Sequence, residues 1–357
     1  MSFSDANCGS LRSGDLLVLP DAGEMCIYQR TQDDFDISEN VVVEALQSIP
    51  AKLRATLGNI RVLKRKKAHL AISPQDVDLD HIARFTRRVQ TLIKKIHCSV
   101  VALIHADKAS QYGTALMLAM SPEDFDCTPQ PSILLACSRQ PHGVSGTDAM
   151  ETLQDSLILS RDLRMRGRIG VLYDEKVLAP AGLHRPTETD KHLHSRFPFV
   201  AEKYPSGNWG FGDANPEQFS IGRPSVPFRL DNNVWTITLD NAEGGGAMGV
   251  MTNANAEGRV KGIVLRTDAN EEPLSSIALE LQKRLRQIRV PIILTGRNVQ
   301  SPVPGDFPKH EGNIVSAHSM TSGESKIILS HALADAPPNP DDLMPHVLQR
   351  FREYPLV

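Results

Sequence analysis

The chain has 357 residues, of which 41% are hydrophobic and 23% are charged, and its formal net charge is -3. That length exceeds the size at which one hydrophobic core usually stops growing, so two domains are expected. The balanced charge argues against a nucleic-acid partner. The sequence also lacks any apolar run near the ~20 residues that span a bilayer, so no membrane partner is predicted. Five scattered cysteines without a CxxC pair favour reduced thiols and a cytoplasmic location.

The first half of the chain alternates short apolar runs with longer amphipathic ones. This alternation predicts βαβ units around a parallel sheet. Strands are predicted at residues 16–19, 100–104, 132–136 and 169–173, and helices at residues 79–96, 114–120 and 149–160. The helix at 79–96 is the clearest, because its apolar residues recur at steps of three and four.

The second half begins with a change of pattern. Prolines and glycines accumulate in residues 190–246, which predicts a linker with a small hairpin at residues 234–239. Beyond it, strands are predicted at residues 248–251, 262–265 and 291–294, and helices at residues 274–287 and 326–334. The predicted fold is therefore α/β with two domains built on mainly parallel sheets. The predicted boundaries are residues 1–189, a linker at 190–246, and a smaller domain at 247–357.

Two five-residue turns carry most of the ionisable side chains that could perform chemistry. DAGEM, at residues 21–25, contains Asp21 and Glu24; HADKA, at residues 105–109, contains His105, Asp107 and Lys108. Each turn follows a predicted buried strand. Ligands of open α/β sheets bind beyond the carboxyl ends of the strands, so both turns are expected to face one crevice.

The order and spacing of these segments resemble the bacterial-type L-asparaginase family over nearly the whole chain. The two turns are similar to the family's T-G-G-T-I and H-G-T-D-T. Further similar segments are PSILLACSRQ, GTDAMETLQDSLILS, VMTNANAEG, VPIILTGRNVQSP and NIVSAHSMTSGESKIILSHAL. The resemblance implies an asparaginase-like fold, with a larger amino-terminal and a smaller carboxyl-terminal α/β domain.

The same resemblance implies that the first catalytic threonine is replaced. The family's amide hydrolysis uses a threonine nucleophile on the first turn. In one register Asp21 takes the place of the turn's first threonine and Glu24 that of the following one; in the other, the nucleophile falls on Pro20. Neither register restores a hydroxyl group.

The resemblance implies similar replacements in the proton-transfer group. Asp107 takes the place of the family's second threonine, Lys108 that of its aspartate, and Arg185 that of its lysine, while His105 is kept. An arginine does not give up its proton at neutral pH, so Arg185 could hold a carboxylate but not act as a base.

Candidate substrate-binding residues also come from the resemblance. The family's substrate-gripping turn is partly kept as Ser73, Gln75 and Asp76, and Asn255 matches an asparagine that reaches a neighbouring subunit's site. A homodimer or homotetramer is therefore expected.

Other polar residues are assigned structural roles. Thr147 and Asp148 are predicted to cap the following helix. Arg139 is predicted to have a structural role like that of its family counterpart. His192 and His194 form an HxH pair without further ligands at metal-site spacing, which favours a surface loop. No metal and no cofactor are predicted.

The charged replacements leave two interpretations open. Either they form salt bridges that fill an unused pocket, or they form a repurposed site in which carboxylates and a lysine shift one another's pKa. The second interpretation predicts a non-hydrolytic enzyme that performs cyclisation, dehydration, isomerisation or condensation on a small amino-acid-like or carbonyl compound. One alternative is a non-catalytic metabolite sensor or partner subunit. Another is a residual amidohydrolase using a different nucleophile, such as Ser73 or Ser110.

Overall fold

The computed structural model describes most of the chain. The described residues are 12–21, 27–31, 34–37, 43, 46–63, 75, 77–184, 192–212, 228–239, 249, 251, 253, 257–267, 283, 285–296, 309–317 and 320–354.

The strands, in chain order, are β1 (Leu16–Pro20), β2 (Ile27–Thr31), β3 (Asp34–Ile37), β4 (Ile60–Val62), β5 (Ser99–Leu103), β6 (Ile133–Ala136), β7 (Ile169–Tyr173), β8 (Lys176–Leu178), β9 (Leu183–His184), β10 (His194–Ser195), β11 (Ala201–Lys203), β12 (Trp209–Phe211), β13 (Val234–Leu239), β14 (Gly262–Thr267), β15 (Ile292–Thr295), β16 (Lys309–Glu311) and β17 (Ile314–Ser316).

The α-helices are α1 (Ala51–Leu57), α2 (Leu79–Thr91), α3 (Ala109–Ala119), α4 (Ala149–Leu159), α5 (Ser322–Ala334) and α6 (Leu343–Glu353). A π-helical segment, Leu92–Ile96, extends α2, and 3-10 turns cover Ala106–Lys108, Pro122–Phe125, Leu163–Met165 and Pro340–Asp342. None of the helices within the described residues is long and apolar enough to cross a membrane.

The first sheet has eight strands in the order β12-β11-β8-β7-β6-β5-β1-β4. Strands β4, β1, β5, β6 and β7 are parallel, and β8, β11 and β12 continue the sheet in antiparallel pairing. All five residues of β1, β5 and β7 are buried. Burial on both faces is what a parallel strand between two helical layers requires, and it explains their unbroken apolar runs.

The second sheet has five strands in the order β13-β14-β15-β17-β16, all parallel except the edge strand β16. Helix α5 packs against β14 on one side and against α3 on the other. Alternate residues along these strands lie on opposite faces of the sheet and belong to two different hydrophobic clusters. Val264 and Ile293 join the large core that includes α5, whereas Ile263 and Ile292 belong to a smaller cluster. The predicted class, α/β with mainly parallel sheets, is confirmed.

Three sequence predictions differ from the structure. Residues 234–239 form the single strand β13, paired parallel with β14, and not a hairpin. Gly249 and Met251 are helical, so the strand predicted at 248–251 is wrong. Helix α3 begins at Ala109, five residues before the predicted start. The predicted linker also includes strands of both sheets, because β11 and β12 join the first sheet and β13 joins the second. The domain boundaries stay a prediction.

The three described cysteines, Cys98, Cys127 and Cys137, form no disulfide with one another. Burial is the main cause that raises the pKa of Cys98 to about 11, and the charge of Asp15 adds to the shift. Such a thiol stays protonated at neutral pH and is a poor nucleophile.

Gly113 lies where α3 approaches Pro180 most closely. A Cβ at this position would be 2.7 Å from the Cβ of Pro180 and 3.1 Å from its carbonyl oxygen. We expect Gly113→Ala to lower the free energy of unfolding by about 1–3 kcal/mol, because the backbone has to move. Urea unfolding would measure the loss.

Gly323 on α5 provides the matched control. Its added Cβ would come closest to the flexible side chain of Gln111, at 3.3 Å, and would lie 3.6 Å from Oγ of Ser110. The higher helix propensity of alanine, worth up to ~1 kcal/mol, should then dominate in Gly323→Ala. An alanine at position 113 that is tolerated as well as one at 323 would contradict the packing argument.

Candidate functional site

The two turns begin side by side at the carboxyl edge of the first sheet. Strands β1 and β5 are parallel neighbours, with Pro20 opposite Leu103. The N–H of Asp21 donates to the carbonyl oxygen of Leu103 at 3.1 Å. His105 starts the turn after β5, and its side chain is buried like that of Asp21. The strand pairing therefore places the first residues of both turns at one sheet edge.

The carboxylate of Asp21 is the centre of a buried polar cluster. It is 0% exposed, and its Oδ2 lies 2.5 Å from the hydroxyl oxygen of Tyr112 and 2.7 Å from Nε2 of His81. An ionised carboxylate only accepts hydrogen bonds, so the Tyr112 hydroxyl and the Nε2–H of His81 both donate to it. When the ring proton of His81 is on Nε2, its Nδ1 carries the lone pair that can accept a proton. We call Asp21, His81 and Tyr112 the carboxylate cluster.

The amino-terminal parts of two helices position the donors of the carboxylate cluster. Asp78 caps α2 by accepting a 2.6 Å hydrogen bond from the backbone N–H of His81, which fixes the start of that helix. Tyr112 lies near the start of α3. Its ring packs edge-on against Phe85, with ring centroids 4.8 Å apart, and edge-on to His81 at 6.4 Å. Aromatic packing therefore orients the tyrosine whose hydroxyl reaches Asp21.

The second turn brings Lys108 to the same edge. Residues Ala106–Lys108 form a 3-10 turn that leads directly into α3. Lys108 is half-buried, whereas the side chain of Asp107 is exposed to solvent. Burial lowers the pKa of Lys108, and the negative charge of Asp107 opposes that shift only in part.

Helix α5 adds a second lysine to this region. Thr321 caps α5, and its Oγ1 lies 3.2 Å from Oγ of Ser110 in the first turn of α3. Lys326, five residues further along α5, is half-buried. Its pKa is lowered, mainly by burial and then by the positive charge of Lys108, while the charge of Asp78 opposes the shift. The charges of Lys108 and of Asp78, the cap of α2, therefore both act on Lys326.

Several predicted site residues lie outside this description. Glu24, Ser73, Asp76, Arg185 and Asn255 are not among the described residues. Gln75 is described, and its side chain is exposed.

The predicted roles of Thr147 and Asp148 are corrected in part. Thr147 accepts a hydrogen bond from the N–H of Ala149 at 3.1 Å, as a capping residue does. Asp148 instead accepts from the backbone N–H of Arg139 at 2.9 Å and forms no cap bond to α4. Arg139 also pairs with Asp174 at 3.1 Å, so the loop after β6 is tied to the turn after β7.

The HxH pair is placed at the surface. His192 is exposed and lies 3.2 Å from a carboxylate oxygen of Asp174, and His194 is exposed in β10. Within the described residues, no three histidine, cysteine or acidic side chains form a group that could hold a metal ion.

Sequence reasoning did not single out His81, Tyr112 or Lys326. One signal for His81 was present: it lies on the buried face of α2 with Ile82 and Phe85, where a polar side chain needs a partner. No comparable local signal marks Tyr112 or Lys326, because a tyrosine or lysine in a helix is most often part of an ordinary packed or solvated face.

The fold and the site together define an α/β protein with a polar cluster at the carboxyl edge of its larger parallel sheet. Comparison with known structures shows that the fold is that of the L-asparaginases. A probable cytoplasmic L-asparaginase from Campylobacter jejuni is similar with a TM-score of 0.72 and 15% identity, over 94% of this chain and 99% of that one. The thermostable L-asparaginase from Thermococcus kodakarensis is similar with a TM-score of 0.66 and 16% identity, over 93% and 96%.

Sequence-based comparisons add nothing to this assignment. No family model matches the chain, and no curated protein matches it. At 15% and 16% identity, the structural likeness establishes the fold and leaves the activity open. The predicted asparaginase resemblance is confirmed at the level of the fold.

Proposed function

We propose that this protein is an enzyme that uses the asparaginase fold for acid–base chemistry without hydrolysis. Its substrate would be a small amino-acid-like or carbonyl compound, and the reaction a cyclisation, dehydration, isomerisation or condensation. One observation supports the proposal above all. Asp21 is fully buried at the carboxyl edge of the sheet, and its Oδ2 accepts hydrogen bonds from both Tyr112 and His81.

The carboxylate cluster fits the requirements of a general base. Asp21 orients the imidazole of His81 and stabilises the imidazolium that forms when Nδ1 takes a proton from the substrate. Tyr112 donates to the same carboxylate oxygen and holds it in place. A buried aspartate with two donors is preorganised, so little reorganisation accompanies the proton transfer.

Lys108 fits the complementary role of a general acid. Because burial lowers its pKa, its ammonium group gives up a proton more readily than an ordinary lysine does. In a dehydration, His81 would take the proton from carbon and Lys108 would protonate the departing hydroxyl, which leaves as water. Proton exchange with solvent then restores both groups.

The salt-bridge interpretation of the charged residues is less well supported. Lys108 makes no ion pair with any carboxylate in the described part of the chain, Asp107 included, and the side chain of Asp107 is exposed. A pocket filled by mutual salt bridges would pair these neighbouring opposite charges first.

Incorporation of solvent deuterium tests the proposed proton abstraction directly. We expect at least one compound from a panel of amino acids, keto acids and their amides to lose a C–H signal when incubated with the protein in deuterated water. Lys108→Met should slow any net conversion ~10²–10⁴-fold, the usual contribution of a general acid or base. Nuclear magnetic resonance and mass spectrometry would follow exchange and conversion.

The matched control is Asp80→Asn, which changes an exposed carboxylate next to His81. It should leave exchange unchanged. Binding without exchange or conversion across the panel would contradict the enzyme proposal and favour a metabolite sensor. Rapid ammonia release from asparagine or glutamine would instead favour an amidohydrolase.

Assembly, location and domain boundaries are also proposals. The asparaginase resemblance gives Asn255 a role in a neighbouring subunit's site, so we propose a homodimer or homotetramer. The similar Campylobacter jejuni protein is described as cytoplasmic, and we propose the same compartment for this chain. We propose domains at residues 1–189 and 247–357, joined by the segment 190–246, which also supplies strands β11, β12 and β13 to the two sheets.

A further inference from the structure

We propose that Lys108 and Lys326 together bind the anionic group of the substrate, a carboxylate or a phosphate, beside the carboxylate cluster. This inference deepens the proposed function by assigning the charged part of its ligand. The inference concerns binding of an anion, which can be measured even if the protein turns over no substrate.

The first support is the convergence of three helix starts. The cap of α2, Asp78, bonds to His81, whose ring contacts Asp21 beyond β1. Lys108 is the N-cap residue of α3. Thr321, which caps α5, lies 3.2 Å from Ser110 in the first turn of α3. The starts of α2, α3 and α5 therefore surround one region at the sheet edge.

The second support is the state of the two lysines. Both are half-buried, and neither makes an ion pair with a carboxylate of the described chain. Lys326 also experiences the positive charge of Lys108. Two partly desolvated ammonium groups that repel each other are unfavourable, and an anion between them would remove both penalties.

The position of Lys326 on α5 is consistent with this role. Gly323 and Lys326 are three residues apart and so share a helix face. A Cβ on Gly323 would lie 3.3 Å from Gln111 and 3.6 Å from Oγ of Ser110, so this face is turned toward α3. The amino-terminal part of α5 therefore brings Lys326 from the second α/β region to the edge of the first sheet.

The donors for the anion come from the side chains. The starts of α2 and α5 are already capped by Asp78 and Thr321, so the helix dipoles contribute only a favourable potential. An ammonium group is a compact charge with three donors, suited to carboxylate and phosphate oxygens alike. A ligand with one such group could extend its reactive part toward Asp21.

Anion titration of the full-length protein tests the inference. Inorganic phosphate and succinate are the probes, added at constant ionic strength and followed by calorimetry. We expect saturable binding of at least one of them. Lys326→Met and Lys108→Met should each weaken that binding roughly tenfold, as expected for one charge-assisted hydrogen bond. A preference for phosphate or for succinate identifies which anion the site serves.

Lys95→Met is the matched control, since Lys95 is an exposed lysine in the π-helical segment that extends α2. It should bind the anion like the unmodified protein. Absence of saturable binding, or equal weakening in all three variants, overturns the inference. Intact anion binding without proton exchange would count against the proposed enzyme activity and leave this site standing. The methionine variants should fold, because methionine keeps most of the lysine volume and removes a desolvated charge.

Discussion

Glu324→Ala is expected to lower the free energy of unfolding by about 3–5 kcal/mol, because it leaves a buried arginine without its carboxylate. Glu324 is 0% exposed, and its Oε1 lies 3.5 Å from Nη2 of Arg196, whose side chain is 3% exposed. The same oxygen accepts a 2.6 Å hydrogen bond from the N–H of Gly182. Urea unfolding would measure the loss.

Glu324 also contacts Tyr354 at the end of α6. Its Oε1 accepts from the hydroxyl of Tyr354 at 3.4 Å, and Oε2 accepts from the N–H of Thr321 at 2.8 Å in a capping box. Burial, together with the charge of Glu324, raises the pKa of Tyr354, so this phenol stays protonated as a donor. One carboxylate therefore holds the start of α5, the loop before β9 and the end of α6.

Thr321→Ala is the matched control for this effect. It removes the cap of α5 and the contact with Ser110, and should cost only about 1 kcal/mol. A Glu324→Ala protein as stable as Thr321→Ala would mean that the buried pair contributes nothing beyond helix capping. Glu324→Gln should fall between them, since the amide keeps an acceptor for Gly182 but loses the charge.

The central strands could be predicted from the sequence, whereas some boundaries could not. β1 and β7 are unbroken apolar runs buried on both faces, which leaves little ambiguity. The start of α3, ASQYG, has no helical period, and its Gly113 packs closely against Pro180, which is distant in sequence. The strand predicted around Met251 is wrong, because a short apolar stretch does not distinguish a helix from a strand.

Some residues of the candidate site could likewise be predicted from the sequence, and others could not. Asp21 and His105 could be located because they lie one residue after β1 and two residues after β5, and the pairing of these parallel strands brings them to one edge. His81, Tyr112 and Lys326 reach that edge from three helices, and only tertiary packing determines which helical residues face it. Their roles depend on contacts between residues far apart in sequence, such as the 2.5 Å bond from Tyr112 to Asp21.

The second large effect is expected from Asp21. Asp21→Ala should lower the free energy of unfolding by about 2–5 kcal/mol, since it leaves the buried hydroxyl of Tyr112 and Nε2 of His81 without their common acceptor. Tyr112→Phe removes only one of the two hydrogen bonds and should cost about 1.5–3 kcal/mol. Unfolding midpoints in urea, compared at equal slopes, would measure both.

Asp21→Asn separates the charge of the carboxylate from its hydrogen bonds. The amide oxygen can accept from both Tyr112 and His81 in the position that Oδ2 holds, so the fold should persist. The neutral amide no longer stabilises a protonated imidazole, and proton abstraction should fall ~10²–10⁴-fold. Asp80→Asn, on the exposed face of α2, should change neither stability nor exchange. If Asp21→Asn exchanges substrate protons as fast as Asp80→Asn, the carboxylate cluster is a packing device. If only Asp21→Asn loses exchange while it stays folded, its buried charge serves the reaction.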